Sequence, residues 1–195
     1  MSRLRLAIPA IAATVLAVAC SDSPTARSLS PTSNASLSSG SDNSGSSARV
    51  RKLRMRDDCD SASFNAVLGP GGCVGNGGTT FAAFNAELAK KHFAGAWKFN
   101  PDEFDEKAGT IIEVENRGGE AHTFTPVVAF GGGFVPALNV ASGNTTVAPE
   151  CADVNAVTLV AAGGHVEASP LTIGTHRFQC CIHPWMRATV TVKAS

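Results

Sequence analysis

The chain has 195 residues and no net charge, because sixteen Lys and Arg residues balance sixteen Asp and Glu residues. The charge is unevenly distributed, since residues 57–195 carry eight basic and fourteen acidic residues, a net charge of −6. This sign argues against a nucleic-acid-binding domain in that part of the chain. The 139 residues of 57–195 are enough for one domain with a hydrophobic core.

The first twenty residues have the pattern of a secretory signal. Arg3 and Arg5 precede an apolar run from Leu6 to Ala19, and Cys20 follows directly. The run is shorter than the ~20 apolar residues that span a bilayer, so residues 1–20 are interpreted as a signal peptide. The Ala-Cys junction resembles a bacterial lipobox, which implies lipidation of Cys20; ordinary cleavage nearby is the alternative. We therefore expect a periplasmic or other extracytoplasmic lipoprotein, attached to a membrane by its N-terminal lipid.

Residues 21–56 are interpreted as a disordered linker with a basic end. Twelve serines lie among residues 21–47, and this composition cannot offset the entropy lost on ordering. Five basic residues then follow between Arg49 and Arg56. We interpret them as a solvated end of the linker. The alternative is contact with anionic lipid or with acidic residues of the domain itself.

Residues 57–96 are predicted to form an N-terminal extension that contains one helix. In residues 79–93, Phe81, Phe84 and Leu88 are spaced by three and four positions, as on one face of a helix. Thr79 or Thr80 can cap its N-terminus, and two lysines suit its C-terminal end.

From residue 97 to 195 the pattern predicts a mainly β domain. Short segments rich in β-branched and aromatic residues alternate with Gly- and Asn-containing turns. No strand–helix alternation occurs, which favours a β-sandwich over a parallel α/β sheet. Residues 131–156 form a long irregular connection, and such loops are often functional.

A metal-binding pattern lies between the last two predicted strands. Cys180, His183 and Met186 are spaced by three, and they offer a thiolate, an imidazole and a thioether. Soft sulfur ligands favour copper(I), and imidazole also suits copper(II). Zinc sites usually show paired Cys or His motifs, which are missing here. A trigonal copper site needs a second histidine, and the best candidate is His122, at the start of a predicted strand.

The motif resembles the copper loop of the blue (type 1) copper proteins. The stretch CIHPWMR, followed by alternating Val and Thr and preceded upstream by GGEAHTF, is most similar to the short amicyanin loop of the plastocyanin/azurin (cupredoxin) family. The resemblance covers residues 97–194. It implies a Greek-key sandwich that holds one type 1 copper, with His122, Cys180 and His183 as equatorial ligands and Met186 as the weak axial ligand.

The resemblance also implies a function. Proteins of this family are one-electron carriers and not enzymes, so a redox partner protein is expected. The family places the second histidine of the site, here His183, at the surface as an electron port, within an apolar patch that would include Pro184 and Trp185. The acidic run of Asp102, Glu103, Asp105 and Glu106 could steer a basic partner, although a solvated turn is favoured. Copper sequestration, delivery or sensing without electron transfer is the alternative function.

The adjacent cysteines are predicted to differ in role. Cys180 has the family's spacing to His183 and shares a strand face with Phe178, whereas Cys181 points to the opposite face. The four cysteines that remain besides Cys20 and Cys180 allow three pairings. We favour Cys59–Cys73 and Cys151–Cys181. The other histidines, His92, His165 and His176, lack ligand spacing and are interpreted as structural.

Overall fold

The structure is a computed structural model that describes residues 49–195. The predicted signal peptide, the lipidation site Cys20 and linker residues 21–48 lie outside the described residues. Within residues 49–195, none of the helices has the length and apolar character required to cross a bilayer.

Two four-stranded sheets form the body of the domain. The strands are β1 (Val50–Arg56), β2 (Lys98–Asn100), β3 (Glu103–Lys107), β4 (Ile111–Asn116), β5 (His122–Thr123), β6 (Thr125–Val127), β7 (Leu159–Val160), β8 (His165–Ala168), β9 (Gly174–Gln179) and β10 (Arg187–Lys193). One sheet has the order β2-β1-β4-β8 and the other β3-β10-β9-β6, while β5 and β7 form a separate pair. The predicted fold class, a mainly β Greek-key sandwich with an N-terminal extension, is confirmed.

The pairing of the strands is mixed. β1 runs parallel to β4, and β10 runs parallel to β3, whereas the remaining pairs are antiparallel. Alternate residues of each strand point between the sheets, as Ile112 and Val114 do on β4 and Ala188, Val190 and Val192 do on β10. The core therefore lies between the two sheets.

The basic segment before residue 57 is a central strand of the first sheet. Leu53 and Met55 are fully buried and alternate with outward-facing basic residues, so the segment fits a half-buried strand. Arg51 and Lys52 form ion pairs with Glu106 and Glu113 at 3.3 and 3.0 Å. The prediction of a solvated linker end is therefore wrong from Val50 onward. The alternative, contact with the domain's own acidic residues, holds for these two side chains.

The N-terminal extension contains two helices, where one was predicted. Helix α2 (Phe81–Lys91) confirms the predicted helix, and the Thr80 side chain caps its N-terminus. Helix α1 (Ser61–Leu68) was missed because it is short and presents one buried apolar side chain, Phe64. An aspartate caps α1 in the same way as Thr80 caps α2. Both helices pack on the core through phenylalanines, and they cover one end of the sandwich.

Both favoured disulfides are present. Cys59–Cys73 closes a loop of fourteen residues within the extension, and Cys151–Cys181 joins the long connection to the end of β9. In the chain-entropy model, cross-links of these lengths each stabilise the fold by about 3–4 kcal/mol. The connection itself is less irregular than expected, because it contains helix α3 (Pro136–Ala141) and a 3-10 turn at Pro149–Cys151.

Candidate metal centre

A tight loop between β9 and β10 carries three of the four predicted ligands. The backbone N–H of Cys180 donates to the carbonyl of Met186 at 3.0 Å, and the N–H of Met186 donates to the carbonyl of His183 at 2.9 Å. These bonds fold the loop back on itself. Cys180, His183 and Met186 are all buried, at 3% exposure or less.

His122 completes the cluster from the start of β5. Its Nδ1 lies 3.9 Å from Cys180 Sγ, and Nδ1 of His183 lies 3.8 Å from the same sulfur. One ligand atom from each of the three residues lies within 4.8 Å of the others. The structure therefore brings together, in a buried position, the three strong ligands expected from the sequence.

The separations fit a single metal ion. Metal–sulfur and metal–nitrogen bonds of about 2.3 and 2.0 Å place the two ligand atoms roughly 3.5 Å apart at a tetrahedral angle and roughly 3.7 Å apart at a trigonal angle. The observed 3.8 and 3.9 Å are closer to the trigonal value than to the tetrahedral one. A trigonal His₂Cys set with a weak axial Met is the donor arrangement of blue-copper sites. Met186 is 1% exposed in the core cluster that also contains Cys180.

The surroundings of the Cys180 thiol favour its ionised form. Burial opposes ionisation, but hydrogen bonds and the positive charge of His122 and His183 outweigh it, and the pKa of Cys180 falls well below its ordinary value. The backbone N–H of Thr123 also donates to the sulfur at 3.4 Å. A thiolate is the form of cysteine that binds a metal, so the site favours the binding-competent form.

A buried carboxylate from the N-terminal extension holds His122 in place. Nε2–H of His122 donates to Asp57 Oδ2 at 2.8 Å, and both side chains are at most 1% exposed. Asp57 also accepts from the N–H groups of Gly119 and Glu120 at 2.9 and 3.1 Å. Since Nε2 carries the hydrogen, Nδ1 is the nitrogen left to face Cys180. Carboxylate–histidine–metal chains of this kind orient a ligand and raise its basicity.

Asp57 and His122 stabilise each other in their charged forms. Burial opposes the ionisation of Asp57, but the hydrogen bonds from His122 and from the backbone hold its pKa below the ordinary value. Burial likewise opposes protonation of His122, yet hydrogen bonds to Asp57 and Cys180 raise its pKa to about 9. Sequence reasoning missed Asp57, because it lies 65 residues from His122 in a segment with no metal motif.

The two glycines of the turn before His122 allow this approach. A Cβ on Gly118 would lie 1.9 Å from Asp57 Oδ2, and a Cβ on Gly119 would lie 2.6 Å from Cys59 Sγ. Any side chain at either position would displace the carboxylate or the Cys59–Cys73 disulfide. The Gly-Gly pair is therefore required for Asp57 to reach His122.

A second carboxylate lies on the outer side of His183. Glu120 Oε2 is 3.7 Å from His183 Nε2, and it accepts a hydrogen bond from the indole N–H of Trp97. Burial raises the pKa of Glu120, although His183 and the Trp97 hydrogen bond work in the opposite direction. Each histidine of the cluster thus faces the sulfur with Nδ1 and a buried carboxylate with Nε2.

The prediction that His183 reaches the surface is wrong. His183 is 3% exposed, and Pro184 is also buried. An apolar cavity of about 300 Å³ borders His183 between the helices of the extension and the long connection, and its lining includes Phe64, Phe81 and Phe84. The extension therefore covers the end of the sandwich where an electron port was expected. Trp185 remains partly exposed, and its ring lies 5.4 Å from that of His183.

Cys181 lies on the other side of the strand, as predicted from parity. It packs in a second cluster with Val127, Ala148 and Cys151, whereas Cys180 belongs to the main core. The N–H of Cys181 donates to the Thr123 hydroxyl at 2.8 Å. The disulfide and this hydrogen bond fasten the ligand loop from behind, and they leave Cys180 as the free cysteine among the described residues.

The remaining histidines lie outside the cluster. His92 ends α2 and contacts a backbone carbonyl, His165 is exposed on β8, and His176 contacts the carbonyl of Thr172. Three of the four residues of the acidic run lie in strand β3 and not in the favoured turn, while Asp102 precedes the strand. Two members are paired, Asp105 with Lys193 and Glu106 with Arg51.

Comparisons with known proteins return similarities of structure alone. No protein-family model and no curated protein sequence matches the chain. Similar solved structures include a purple cupredoxin from Nitrosopumilus maritimus (15% identity, 73% of this chain and 98% of that one, TM-score 0.38). They also include plastocyanin from Dryopteris crassirhizoma (20%, 73% and 100%, 0.38) and a point mutant of amicyanin in its Cu(I) form (18%, 49% and 73%, 0.34). These neighbours are cupredoxins, and at such identities the likeness concerns the fold class only.

Proposed function

We propose that this protein binds one type 1 copper ion and carries single electrons outside the cytoplasm. The observation that supports this function is the buried convergence of one thiolate and two Nδ1 atoms at trigonal separations. His122, Cys180 and His183 would hold the ion, with Met186 as the axial ligand. The bound copper would supply a one-electron couple, and no substrate chemistry is required of the protein.

The surrounding residues suit such a couple because they restrict movement of the ligands. His122 is fixed by Asp57, Cys180 by the N–H of Thr123, and the ligand loop by its own backbone hydrogen bonds. Rigid ligands disfavour rearrangement between the two oxidation states, and the hydrogen bonds around the ligands set the potential.

Burial favours electron transfer over copper delivery. A protein that hands its metal to another must expose ligands to the acceptor, yet all four candidate ligands are at most 3% exposed. An electron does not require direct access to the metal. Burial is also compatible with copper sequestration, which is therefore the alternative function. A sequestration protein differs from an electron carrier because its copper is not reversibly reduced and oxidised.

The test is titration of the purified protein with copper(II) under visible absorption. We expect one equivalent to bind with intense thiolate-to-copper absorption that disappears on reduction and returns on oxidation. Cys180→Ser should abolish the colour, while the matched variant Cys181→Ser, made together with Cys151→Ser, should keep it. A colourless complex, or one that cannot be cycled, would instead support sequestration.

A further inference from the structure

We infer that the basic surface around Trp185 is a docking site for an acidic region of a redox-partner protein. This site would serve the electron transfer proposed above. It consists of a cleft lined by Lys91, Lys98, Trp185 and Arg187, together with the neighbouring residues Arg54 and Arg56 of β1.

Trp185 connects the cluster to this surface. Its ring contacts that of His183 at a centroid distance of 5.4 Å, and its indole N–H donates to the carbonyl of Ala94 at 3.2 Å. The partly exposed ring then lines a cleft of about 450 Å³. Because the extension covers His183, a partner seated in this cleft would come within one aromatic ring of the ligand.

The cleft is basic, and part of its charge is unpaired. Lys91 pairs with Glu87, but neither Lys98 nor Arg187 forms an ion pair with a carboxylate within residues 49–195. Arg187 is only partly exposed, and its Nε–H donates to the carbonyl of Pro184 at 2.8 Å. Arg187 also donates to Asn144 Oδ1 and lies over the Phe130 ring at 4.9 Å, so neutral groups satisfy the guanidinium while its positive charge stays uncompensated. An acidic ligand would neutralise that charge.

The outer face of the first sheet extends the basic surface. Arg56 lies directly opposite Lys98 across the β1–β2 pair, and both point to solvent, because their neighbours Met55 and Phe99 are buried. Arg54 is exposed on the same face of β1. Like charges opposite each other destabilise a sheet, so the fold tolerates a repulsion here that an acidic partner would remove. Further across the same sheet, Lys52 has its own carboxylate partner.

A protein suits this surface better than a membrane does. The cleft is concave and contains an aromatic ring, so protruding Asp or Glu side chains can enter it, whereas a flat lipid surface cannot follow it. Asp102 is the single carboxylate among the lining residues. In the exchange, the partner's redox group gains the one electron that copper(I) loses, or gives one electron to copper(II). No covalent bond forms or breaks, and no proton is transferred.

The first experiment measures binding to the metal-free protein. A polyglutamate peptide is titrated at low ionic strength, and tryptophan fluorescence is recorded. The variant Arg56→Glu/Lys98→Glu should bind at least about tenfold more weakly than the unaltered chain. The matched control Arg177→Glu/Lys107→Glu makes the same charge change at two exposed positions elsewhere, and it should lose less than about twofold. Equal losses in both variants would overturn the docking site.

The second experiment uses copper-loaded protein and hexacyanoferrate(III), an anionic one-electron oxidant. The rate at which it oxidises the copper(I) protein should fall in Arg56→Glu/Lys98→Glu but not in Arg177→Glu/Lys107→Glu. Added salt should remove the difference between the two variants. The inference would be overturned if the protein bound phosphatidylglycerol vesicles but not polyglutamate, and if Arg56→Glu/Lys98→Glu abolished the vesicle binding. That result would assign the surface to a membrane. If the copper of the unaltered protein cannot be reduced and reoxidised, the electron-carrier function is refuted. If the copper shows normal colour and redox cycling but the two charge-reversal variants do not differ in binding or oxidation rate, the docking site alone is refuted.

Discussion

Replacement of the Asp57 carboxylate by an amide, in Asp57→Asn, tests how the N-terminal extension supports the metal centre. In the structure Oδ2 accepts from His122 and Glu120, and Oδ1 accepts from Gly119 and, at 3.3 Å, from Cys59. Asn keeps one acceptor and introduces an NH₂ group. Whichever way the amide turns, two buried N–H donors would face another donor.

The expected loss follows from those two hydrogen bonds. Each buried donor left without a partner costs about 1–3 kcal/mol, so Asp57→Asn should lower the free energy of unfolding by about 3 kcal/mol. For a domain of this size, the melting temperature should fall by roughly 10 °C. Copper affinity should fall about 10–100-fold, because His122 loses its orienting carboxylate. The reduction potential should rise, since removing a buried negative charge disfavours copper(II).

Thermal unfolding, competitive copper titration and voltammetry measure these three quantities. The matched control is Asp58→Asn, because Asp58 accepts hydrogen bonds from Gly78 and Thr79 but does not contact His122. That variant should lower stability and leave the potential unchanged. If Asp57→Asn kept both the stability and the potential of the unaltered protein, the role assigned to this carboxylate would be refuted.

Three further variants test other parts of the structure. Gly119→Ala would place a Cβ 2.5 Å from the backbone nitrogen of Gly75 and should cost about 1–3 kcal/mol by denaturant unfolding, whereas Gly78→Ala, with its nearest contact at 3.8 Å, should cost much less. Removing the Cys151–Cys181 bond by Cys151→Ala/Cys181→Ala should lower stability by about 3–4 kcal/mol while the copper colour persists, and loss of colour would contradict the separation of the two cysteines. Phe84→Ala should cost about 3–5 kcal/mol and speed copper removal by a chelator, because it opens the apolar cover next to His183; an unchanged removal rate would show that the extension does not limit access.

The parts of the metal site that the sequence predicted are those that depend on residues close together along the chain. Cys180, His183 and Met186 lie within seven consecutive residues, so their spacing alone places them in one loop. Strand parity separates Cys180 from Cys181 for the same reason, because successive residues of a strand point to opposite faces. The alternation of Leu53 and Met55 with basic residues carried a similar signal for β1, although the density of charge favoured a linker instead.

Only the tertiary structure decided what surrounds the site. Asp57 meets His122 because β1 runs beside β4 and a Gly-Gly turn permits close approach, and these contacts join residues 61 to 65 positions apart. His183 is buried because two helices, distant in sequence from the ligand loop, pack over that end of the sandwich. Spacing and periodicity report on neighbours along the chain. The environment of a metal ligand depends instead on which distant segments the folded core brings against it.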